Sequence, residues 1–302
     1  MIRRPRILIT GATGFIGSHL LVDLIDLNFE VLAISRSKGP DLGKNLTWVS
    51  EDISSLESLK HKIEAFQPEF VIHLAWQDLP DYSFKASQQN LYNSISLLSY
   101  VARLDCCKKI IVSGSCWEYG KESGICKEQD ESISLNYFTW AKNSLRDLLE
   151  ITCKENAVDL VWFRIFYTYG PLQRNTSLIP SILLSLKEKS LPEIKSPYNS
   201  NDFIFIEDVV KGFLNSIEHK IPSGIYNLGS GNRSCIADIC RIAEKIVLNT
   251  DVLTESMLAD SKKNHHVMDF WACLEKSKEH LAWVPQVSIE EGIERTWNKL
   301  KE

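Results

Sequence analysis

The sequence predicts an α/β fold in which a doubly wound parallel sheet is followed by a smaller α/β C-terminal domain. Short β-branched runs alternate with amphipathic stretches through the first half of the chain. A glycine-rich turn joins the first of these runs to the first amphipathic stretch, and after Gly170-Pro171 the pattern changes. Alternation of this kind is typical of βαβ units, whose parallel sheet is covered by helices on both faces.

The first half of the chain supplies most of the predicted sheet. Strands are expected at residues 7–10, 31–35, 47–49, 70–74, 109–113 and 158–163. Apolar residues spaced about 3.6 apart predict helices at residues 15–27, 55–66, 88–104 and 138–155.

The second half is expected to interleave with the first. Its predicted elements are a helix at 179–187, a strand at 203–206, a helix at 208–219 and an amphipathic helix at 289–300. Because the chain can return to the first sheet, the first predicted domain covers residues 1–166 together with 200–220. The second predicted domain covers residues 167–199 and 221–302.

Composition and charge exclude several classes of protein. The 302 residues are 44% hydrophobic and carry a formal net charge of -5, so the chain can bury a sizeable core. This mild acidity gives no footprint for nucleic acid, and no apolar run approaches the ~18 residues of a membrane span. Arg3, Arg4 and Arg6 lead into a four-residue apolar stretch, which is too short for a signal peptide. We therefore expect a cytoplasmic protein.

The eight cysteines are expected to be free and structural. The sequence contains neither a C-x-x-C pair nor a His cluster at zinc-finger spacing, so no metal site is predicted. In a reducing compartment such residues behave mostly as small buried hydrophobes.

The glycine-rich turn predicts a dinucleotide site. Gly11, Gly14 and Gly17 follow a predicted strand and open a predicted helix, which is the context that makes the motif specific. Gly11 allows the turn, Gly14 lets the backbone approach a pyrophosphate, and Gly17 allows helix and strand to pack closely. The N–H groups at the start of the helix then face the phosphates. The fold is therefore expected to be Rossmann-like.

The end of the second predicted strand indicates which dinucleotide binds. An acidic residue there accepts hydrogen bonds from the ribose 2′-OH of NAD, whereas an arginine favours the 2′-phosphate of NADP. Residues 33–38 contain no acid, and Arg36 offers a fork of donors suited to phosphate. NADP is therefore the predicted cofactor, with NAD as the alternative.

Several motifs stand in the order found in a known family. They are Gly11-Ala-Thr-Gly-Phe-Ile-Gly17, Asp52-Ile53, His73-Leu74-Ala75, Ser113-Gly-Ser115-Cys-Trp-Glu-Tyr119-Gly120, Arg164-Ile-Phe-Tyr-Thr-Tyr169-Gly170-Pro171, Asp202-Phe203, Tyr226-Asn227 and Trp283-Val-Pro285. Over nearly its whole length the sequence resembles the extended short-chain dehydrogenase/reductase family, and within it the nucleotide-sugar epimerases, dehydratases and reductases. The resemblance implies a nucleotide-diphosphate sugar as substrate, and a homodimer formed through the helices at 88–104 and 138–155.

The resemblance also implies which residues bind. Cofactor contacts are expected at Gly11, Thr13, Gly14, Phe15, Ile16, Gly17, Arg36, Asp52, Ile53, Leu74, Ala75, Trp76, Asn90, Ser113, Lys142 and Phe166. Substrate contacts are expected at Trp76, Trp117, Glu118, Tyr167, Arg174 and Asn201. The family usually has Asn at the position of Tyr167 and Arg at that of Asn201.

Catalysis in this family rests on a serine, a tyrosine and a lysine, the last two spaced as Y-x-x-x-K on one helix. Ser115 and Lys142 match, but the residue four before Lys142 is Phe138, which has no proton to give. Tyr137 stands next to it, about 100° away around a regular helix. Three explanations stay open: a natural or engineered substitution that removes the phenol, a bulge or helix start at Asn136 that lets Tyr137 serve, or altered or absent catalysis.

The residues after the serine narrow the reaction. The dehydratases of the family carry an Asp-Glu pair where this chain has Cys116 and Trp117, and Glu118 stands one position late. Because that elimination needs a general acid and base, a dehydratase is disfavoured. The short chain and Arg36 favour reduction of a nucleotide-linked 4-keto-6-deoxy sugar, of the kind that feeds bacterial surface polysaccharides. The alternatives are a C4 epimerase or dehydrogenase with bound NAD, and a regulatory protein that binds a dinucleotide without catalysis.

Overall fold

The computed structural model describes residues 5–260 and 268–302, so Arg3 and Arg4 lie outside the described residues. The strands, in chain order, are β1 Arg6–Thr10, β2 Glu30–Ser35, β3 Leu46–Ser50, β4 Phe70–His73, β5 Lys109–Ser115, β6 Ser123–Cys126, β7 Asp159–Ile165, β8 Tyr167–Tyr169, β9 Ser200–Asn201, β10 Phe203–Phe205, β11 Gly224–Leu228, β12 Ser234–Cys235 and β13 Asp269–Ala272. The α-helices are α1 Phe15–Asp26, α2 Leu56–Phe66, α3 Phe84–Val101, α4 Tyr137–Glu155, α5 Leu178–Lys187, α6 Ile206–Glu218, α7 Ile236–Leu248, α8 Val252–Asp260, α9 Glu275–Leu281 and α10 Ile289–Lys301. A 3₁₀ helix, Cys116–Tyr119, follows β5.

The described residues divide into two compact units. The first is drawn from Met1–Gly120, Asp130–Arg164 and Val210–Tyr226, and the second from Lys121–Gln129, Ile165–Val209 and Asn227–Glu302. The segment of the second half that joins the first unit therefore begins later than the predicted 200–220. Residues 121–129 were predicted to lie in the first domain, but they belong to the second unit because β6 pairs with β13, a partner far along the chain.

The large sheet contains the switch point that Rossmann-like folds use. Within the described residues its strand order is β11-β7-β5-β4-β1-β2-β3, and the neighbours from β3 through to β5 are parallel. Leu8 of β1 faces Leu32 of β2 and Val71 of β4, and all three side chains are buried. The strand order reverses between β1 and β4. Open α/β sheets bind ligands outside the carboxyl ends of their strands at such a point, so the predicted doubly wound parallel sheet is confirmed.

The helices α3 and α4 pack on this sheet and carry residues of the candidate site. Leu98, Leu145 and Leu149 are fully buried in its core. The helix predicted at 88–104 begins earlier, at Phe84, because the Ser83 side chain caps it by accepting the N–H of Ala86 at 3.3 Å. The first turn of α3 contains polar residues, so the spacing of apolar residues did not indicate that the helix begins at Phe84.

The second unit is a smaller α/β arrangement. Among its described residues, one sheet has the order β12-β9-β13-β6, and β8 pairs in parallel with β10. The buried Asp202 carboxylate accepts hydrogen bonds from the backbone N–H groups of Ser230, Gly231 and Ala272. This carboxylate ties the strand pair to the following turn.

No α-helix in the described ranges is both long and apolar enough to cross a membrane. The eight cysteines are free, and six of them are buried.

Candidate active site in the first unit

The turn between β1 and α1 requires glycine at defined positions. Gly11 has a φ of +72°, and a Cβ there would lie 2.8 Å from the backbone nitrogen of Ala75. A Cβ at Gly17 would lie 2.2 Å from the carbonyl oxygen of Gly11. Gly14, the N-cap of α1, has no side chain to accept its first N–H groups. The start of α1 is therefore suited to an anion that approaches the backbone closely.

A cleft of about 280 Å³ opens beside this turn at the switch point. Eight of the predicted cofactor residues line it: Gly11, Thr13, Gly14, Arg36, Ile53, Leu74, Ala75 and Trp76. Phe15, Ile16 and Gly17 follow as the first residues of α1. The glycine turn lies at the end of a parallel strand, and a Cβ at Gly11 or Gly17 would clash with nearby backbone. Such a turn fits the pyrophosphate of a dinucleotide.

The exposed Arg36 gives the far side of the cleft a positive charge. It follows the last residue of β2, Ser35, whose hydroxyl lies 2.6 Å from that of Thr13. No acidic side chain stands at the end of β2. The same cleft is also lined by the acidic Glu51.

Asp52 is held in place near the cleft. Its carboxylate accepts the N–H of Ser54 at 2.8 Å and the side-chain amide of Gln77 at 2.6 Å. Burial alone raises the pKa of Asp52, but these hydrogen bonds and the charge of Arg36 lower that pKa overall below its ordinary value. Asp52 is therefore a fixed anion and a suitable acceptor for a base amino group.

The buried Asn90 holds the segment after β4. Its amide accepts the N–H of Gln77 at 2.7 Å and donates to the carbonyls of Gln77 and Ala86. Asn90 therefore fixes the wall of the cleft through backbone contacts.

Lys142 of α4 lies between this cleft and the end of β5. Its ammonium donates to the carbonyl of Ser113 at 2.7 Å and lies 4.0 Å from the centre of the Trp76 ring. Burial lowers the pKa of Lys142 to about 8, against an opposing effect of the Glu118 carboxylate. The hydroxyl oxygen of Ser115 accepts the N–H of Trp117 at 3.2 Å and caps the 3₁₀ helix. The structure thus brings the predicted serine and lysine to one end of the sheet.

Phe138, and not Tyr137, occupies the helix face next to the lysine. The Phe138 ring is buried, lies 5.9 Å from the Lys142 ammonium and packs on Trp76 at 5.5 Å. Tyr137 is 53% exposed and packs instead on Phe84 at 5.3 Å. The capped helix starts at Tyr137 without a bulge, so one residue turns the phenol about 100° away. Tyr137 lies on another face of α4 from Phe138 in this structure, and its role in catalysis stays a prediction.

Sequence reasoning missed Tyr82, which lies between β4 and α3. Its ring packs on Phe138 at 5.4 Å and on Trp117 at 5.2 Å. The available signal was its position in the loop that leaves the carboxyl end of β4, where open α/β sheets hold ligands. Spacing along a loop does not show which side chain folds back over the sheet.

Glu118 has a different role from the predicted one. It is fully buried, and its carboxylate accepts hydrogen bonds from the Ser115 N–H at 2.7 Å, the Trp162 indole at 2.9 Å and the Arg164 guanidinium at 3.2 Å. Because these donors enclose it, the prediction that Glu118 contacts substrate is wrong. The Glu118 carboxylate instead fixes the backbone of Ser115 at the start of the 3₁₀ helix. Residues 113–120 are called the serine segment below.

The remaining predicted residues belong to the second unit. Phe166 is buried and packs on Phe270, whereas Tyr167 is half-buried and packs on Phe203. Arg174 is exposed, and Asn201 is buried in β9. Their contacts with cofactor or substrate stay predictions.

Metal chemistry has no visible site in the part of the chain that the structure describes. No group of three or more His, Cys, Asp or Glu side chains there is arranged to hold a metal ion.

Known proteins resemble this chain in both sequence and structure. The sequence model of the NAD dependent epimerase/dehydratase family matches residues 7–229. The dTDP-4-dehydro-6-deoxyglucose reductase of Escherichia coli is 24% identical, over 97% of this chain and 96% of that protein. The UDP-N-acetylglucosamine 4-epimerase of Methanobrevibacter ruminantium M1, solved with UDP-N-acetylmuramic acid, is 22% identical, with a TM-score of 0.85 over 99% of each chain. The UDP-glucuronic acid 4-epimerase of Bacillus cereus, solved with NAD, is 24% identical, with a TM-score of 0.80 over 98% of each chain.

Proposed function

Because the chain belongs to the NAD dependent epimerase/dehydratase family, we propose that it reduces a nucleotide-linked 4-keto-6-deoxy sugar with NADPH. Membership of this family makes the chain an NAD-dependent enzyme of the nucleotide-sugar epimerase, dehydratase and reductase type. We propose the particular reaction, sugar and dinucleotide.

The observation that carries this proposal is the contact between Lys142 and Trp76. Trp76 lines the cleft beside the glycine turn, and the Lys142 ammonium lies over its ring. The same ammonium donates to Ser113, two residues before Ser115. The dinucleotide cleft and the serine–lysine pair therefore share a boundary, which supports an enzyme that joins cofactor chemistry to proton transfer.

The residues of the chain have separable tasks in this reaction. When bound, the reduced dinucleotide supplies a hydride to the carbonyl carbon of the sugar. Gly11, Gly14 and the start of α1 hold the pyrophosphate. Ser115 already accepts a backbone N–H, so its own O–H remains to donate to the carbonyl oxygen. Lys142 keeps a positive charge beside the developing oxyanion.

Two features favour reduction over the other reactions of the family. The two residues after Ser115 are Cys116, which is buried, and Trp117. Neither is a carboxylic acid, so the acid–base pair that a dehydratase needs for elimination is absent from these two positions. Arg36 at the end of β2 suits NADP, a cofactor drawn from the reducing pool. The similar Escherichia coli protein is itself a reductase of a 4-dehydro-6-deoxy sugar nucleotide.

A C4 epimerase with bound NAD is the second candidate. It is supported by the two similar solved 4-epimerases, one of which holds NAD. A dinucleotide-binding regulatory protein is the third, and the feature that favours it is the missing phenol at Phe138.

The test compares both sugar classes with both dinucleotides. Purified protein is given a nucleotide-linked 4-keto-6-deoxy sugar with NADPH or NADH, and dinucleotide oxidation is followed by absorbance. A reductase consumes dinucleotide one-for-one with sugar, whereas an epimerase interconverts 4-hydroxy sugars without net consumption. Lys142→Met serves as the control for contaminating activity. Dinucleotide binding without turnover of either class would overturn the proposal.

We also propose an oligomeric state and a biosynthetic role for this protein. We expect a homodimer formed through α3 and α4, where Tyr92 and Ile151 are exposed, and a role in surface polysaccharide biosynthesis. Light scattering checks the first of these: a molecular mass equal to one chain, across the working concentration range, would contradict it.

A further inference from the structure

Tyr82, in the segment between β4 and α3, places a phenol ring next to Phe138, the residue at the position of the family's tyrosine. The ring centres of Tyr82 and Phe138 are 5.4 Å apart, in an edge-to-face arrangement. Tyr82 also packs on Trp117, two residues after Ser115. We infer that Tyr82 is the general acid that gives its phenolic proton to the substrate in place of the tyrosine missing at position 138. This inference rests on the proposed function.

The neighbours of Phe138 limit the choice of donor. Among the described residues, the rings in contact with Phe138 are those of Trp76, Tyr82 and Trp117. An indole N–H donates hydrogen bonds but does not release its proton near neutral pH, whereas a phenol has an ordinary pKa of about 10. Tyr82 is therefore the ring of this cluster that can exchange a proton with a sugar.

Other tyrosines of the first unit are directed elsewhere. Tyr119 is 1% exposed and lies under the guanidinium of Arg164 at 4.2 Å. Tyr137 packs on Phe84, on another face of α4. Tyr82, in contrast, is 37% exposed, so it can both reach a ligand and recover a proton from water.

Phe138 connects Tyr82 to the lysine. The Lys142 ammonium lies 5.9 Å from the Phe138 ring centre, and Tyr82 packs against the same ring. The ammonium and the phenol ring therefore share Phe138 as a neighbour. The family pairs its tyrosine and lysine on one helix, and here the phenol would come from the loop after β4 instead.

Reduction of the sugar carbonyl transfers one hydride and one proton to the substrate. The carbonyl carbon of the 4-keto sugar gains a hydride from the reduced dinucleotide. A hydride consists of one proton and two electrons, so the dinucleotide is oxidised. The carbonyl oxygen gains the proton of the Tyr82 O–H, and a 4-hydroxyl forms. Water then returns a proton to the Tyr82 phenolate.

The first test is Tyr82→Phe, which removes one oxygen and keeps the aromatic packing. We expect kcat to fall by about 10²–10⁴-fold, with the Kd for dinucleotide and nucleotide sugar, measured by calorimetry, changed less than about threefold. Tyr100→Phe, whose hydroxyl donates to Glu64 on the protein surface at 2.6 Å, is the matched control and keeps wild-type kcat. Tyr82→Phe combined with Phe138→Tyr is expected to regain activity. Wild-type kcat in Tyr82→Phe, or a loss in Tyr137→Phe instead, would overturn the inference.

A second readout needs no turnover. Tyr82 is 37% exposed, so tetranitromethane is expected to nitrate its ring in the free protein. Bound dinucleotide together with nucleotide sugar is expected to protect Tyr82, whereas the nitration of Tyr137 stays unchanged. If the wild type reduces no sugar, the proposed function fails, and this protection still decides on Tyr82. Equal nitration of Tyr82 with and without the two ligands contradicts the inference.

Discussion

The ammonium of Lys142 lies 4.0 Å from the centre of the Trp76 ring. This contact joins the helix that carries the lysine to the wall of the dinucleotide cleft, because Trp76 lines that cleft. Burial lowers the pKa of Lys142 to about 8, so the group is charged near neutral pH and close to its point of titration. The aromatic face stabilises this cation, and the charge of the Glu118 carboxylate favours its protonated form.

Replacement of this lysine is expected to stop catalysis while leaving the fold intact. Lys142→Met keeps the aliphatic stem against Trp76 and removes the charge. We expect kcat/KM to fall by at least about 100-fold, measured with NADPH and a nucleotide-linked 4-keto sugar. Lys154→Met, at an exposed position near the end of α4, is the control and retains activity. Equal activity of both variants would contradict a role for Lys142.

Arg36 is expected to select the dinucleotide. If it binds a 2′-phosphate, Arg36→Ala loses charge-assisted hydrogen bonds, each worth about 1.5–3 kcal/mol. The Kd for NADPH then rises at least about tenfold, while the Kd for NADH stays within about twofold. Fluorescence titration measures both, with Lys38→Ala as control. An equal change for the two dinucleotides would favour NAD as the cofactor.

His73 is expected to make stability depend on acid pH. It is buried between the hydroxyls of Thr10 and Ser94, each at 2.9 Å, and burial, aided by the charge of Lys142, lowers its pKa to about 3. Between pH 3 and the ordinary value of 6.5, the unfolded chain therefore binds the proton and the folded chain does not. The free energy of unfolding falls as pH decreases through this window, by up to about 1.4 kcal/mol per pH unit from this group.

Urea unfolding between pH 7 and pH 4.5 checks the acid prediction. His73→Asn is expected to be less stable at pH 7 but to show a shallower decline, because the titrating group is absent. His61→Asn, at an exposed position, keeps the wild-type slope. Parallel declines in wild type and His73→Asn would show that other groups determine the acid limb.

Glu118 is expected to stabilise the serine segment. Glu118→Gln removes the charge that faces the fully buried Arg164 at 3.2 Å. An uncompensated buried cation typically costs about 3–5 kcal/mol, so the free energy of unfolding falls by about that amount in denaturant titrations. Glu131→Gln, exposed before α4, serves as control. A loss below about 1 kcal/mol would mean that water or another group replaces the carboxylate.

The parts of the fold that depend on local pattern were predictable. The turn at Gly11, Gly14 and Gly17 follows from residues close together in sequence, since a Cβ at Gly14 or Gly17 would crowd the carbonyl of Gly11. Gly11 also avoids the backbone of Ala75, which follows β4. The alternation of β-branched runs with amphipathic stretches likewise predicted the parallel sheet.

Long-range packing determined the features that were missed. Residues 121–129 join the second unit because β6 pairs with β13, nearly 150 residues further along the chain. Glu118 looked like a substrate contact from its place beside Ser115, but its partners Trp162 and Arg164 come from β7. Tyr82 lies in a loop that folds onto Phe138, a contact that the local sequence around Tyr82 does not indicate. In each case the deciding neighbour is distant in sequence.

We expect this chain to transfer a hydride to a sugar although Phe138 replaces the phenol of the family. The most direct measurement uses dinucleotide deuterated at the transferred position of its reduced ring, together with a nucleotide-linked 4-keto-6-deoxy sugar. Mass spectrometry and NMR of the recovered sugar nucleotide then locate the label. We expect one deuterium at C4 of a newly formed 4-hydroxy sugar, at a yield equal to the amount of dinucleotide oxidised. Recovery of unlabelled 4-keto sugar, with dinucleotide bound but unchanged, would contradict it.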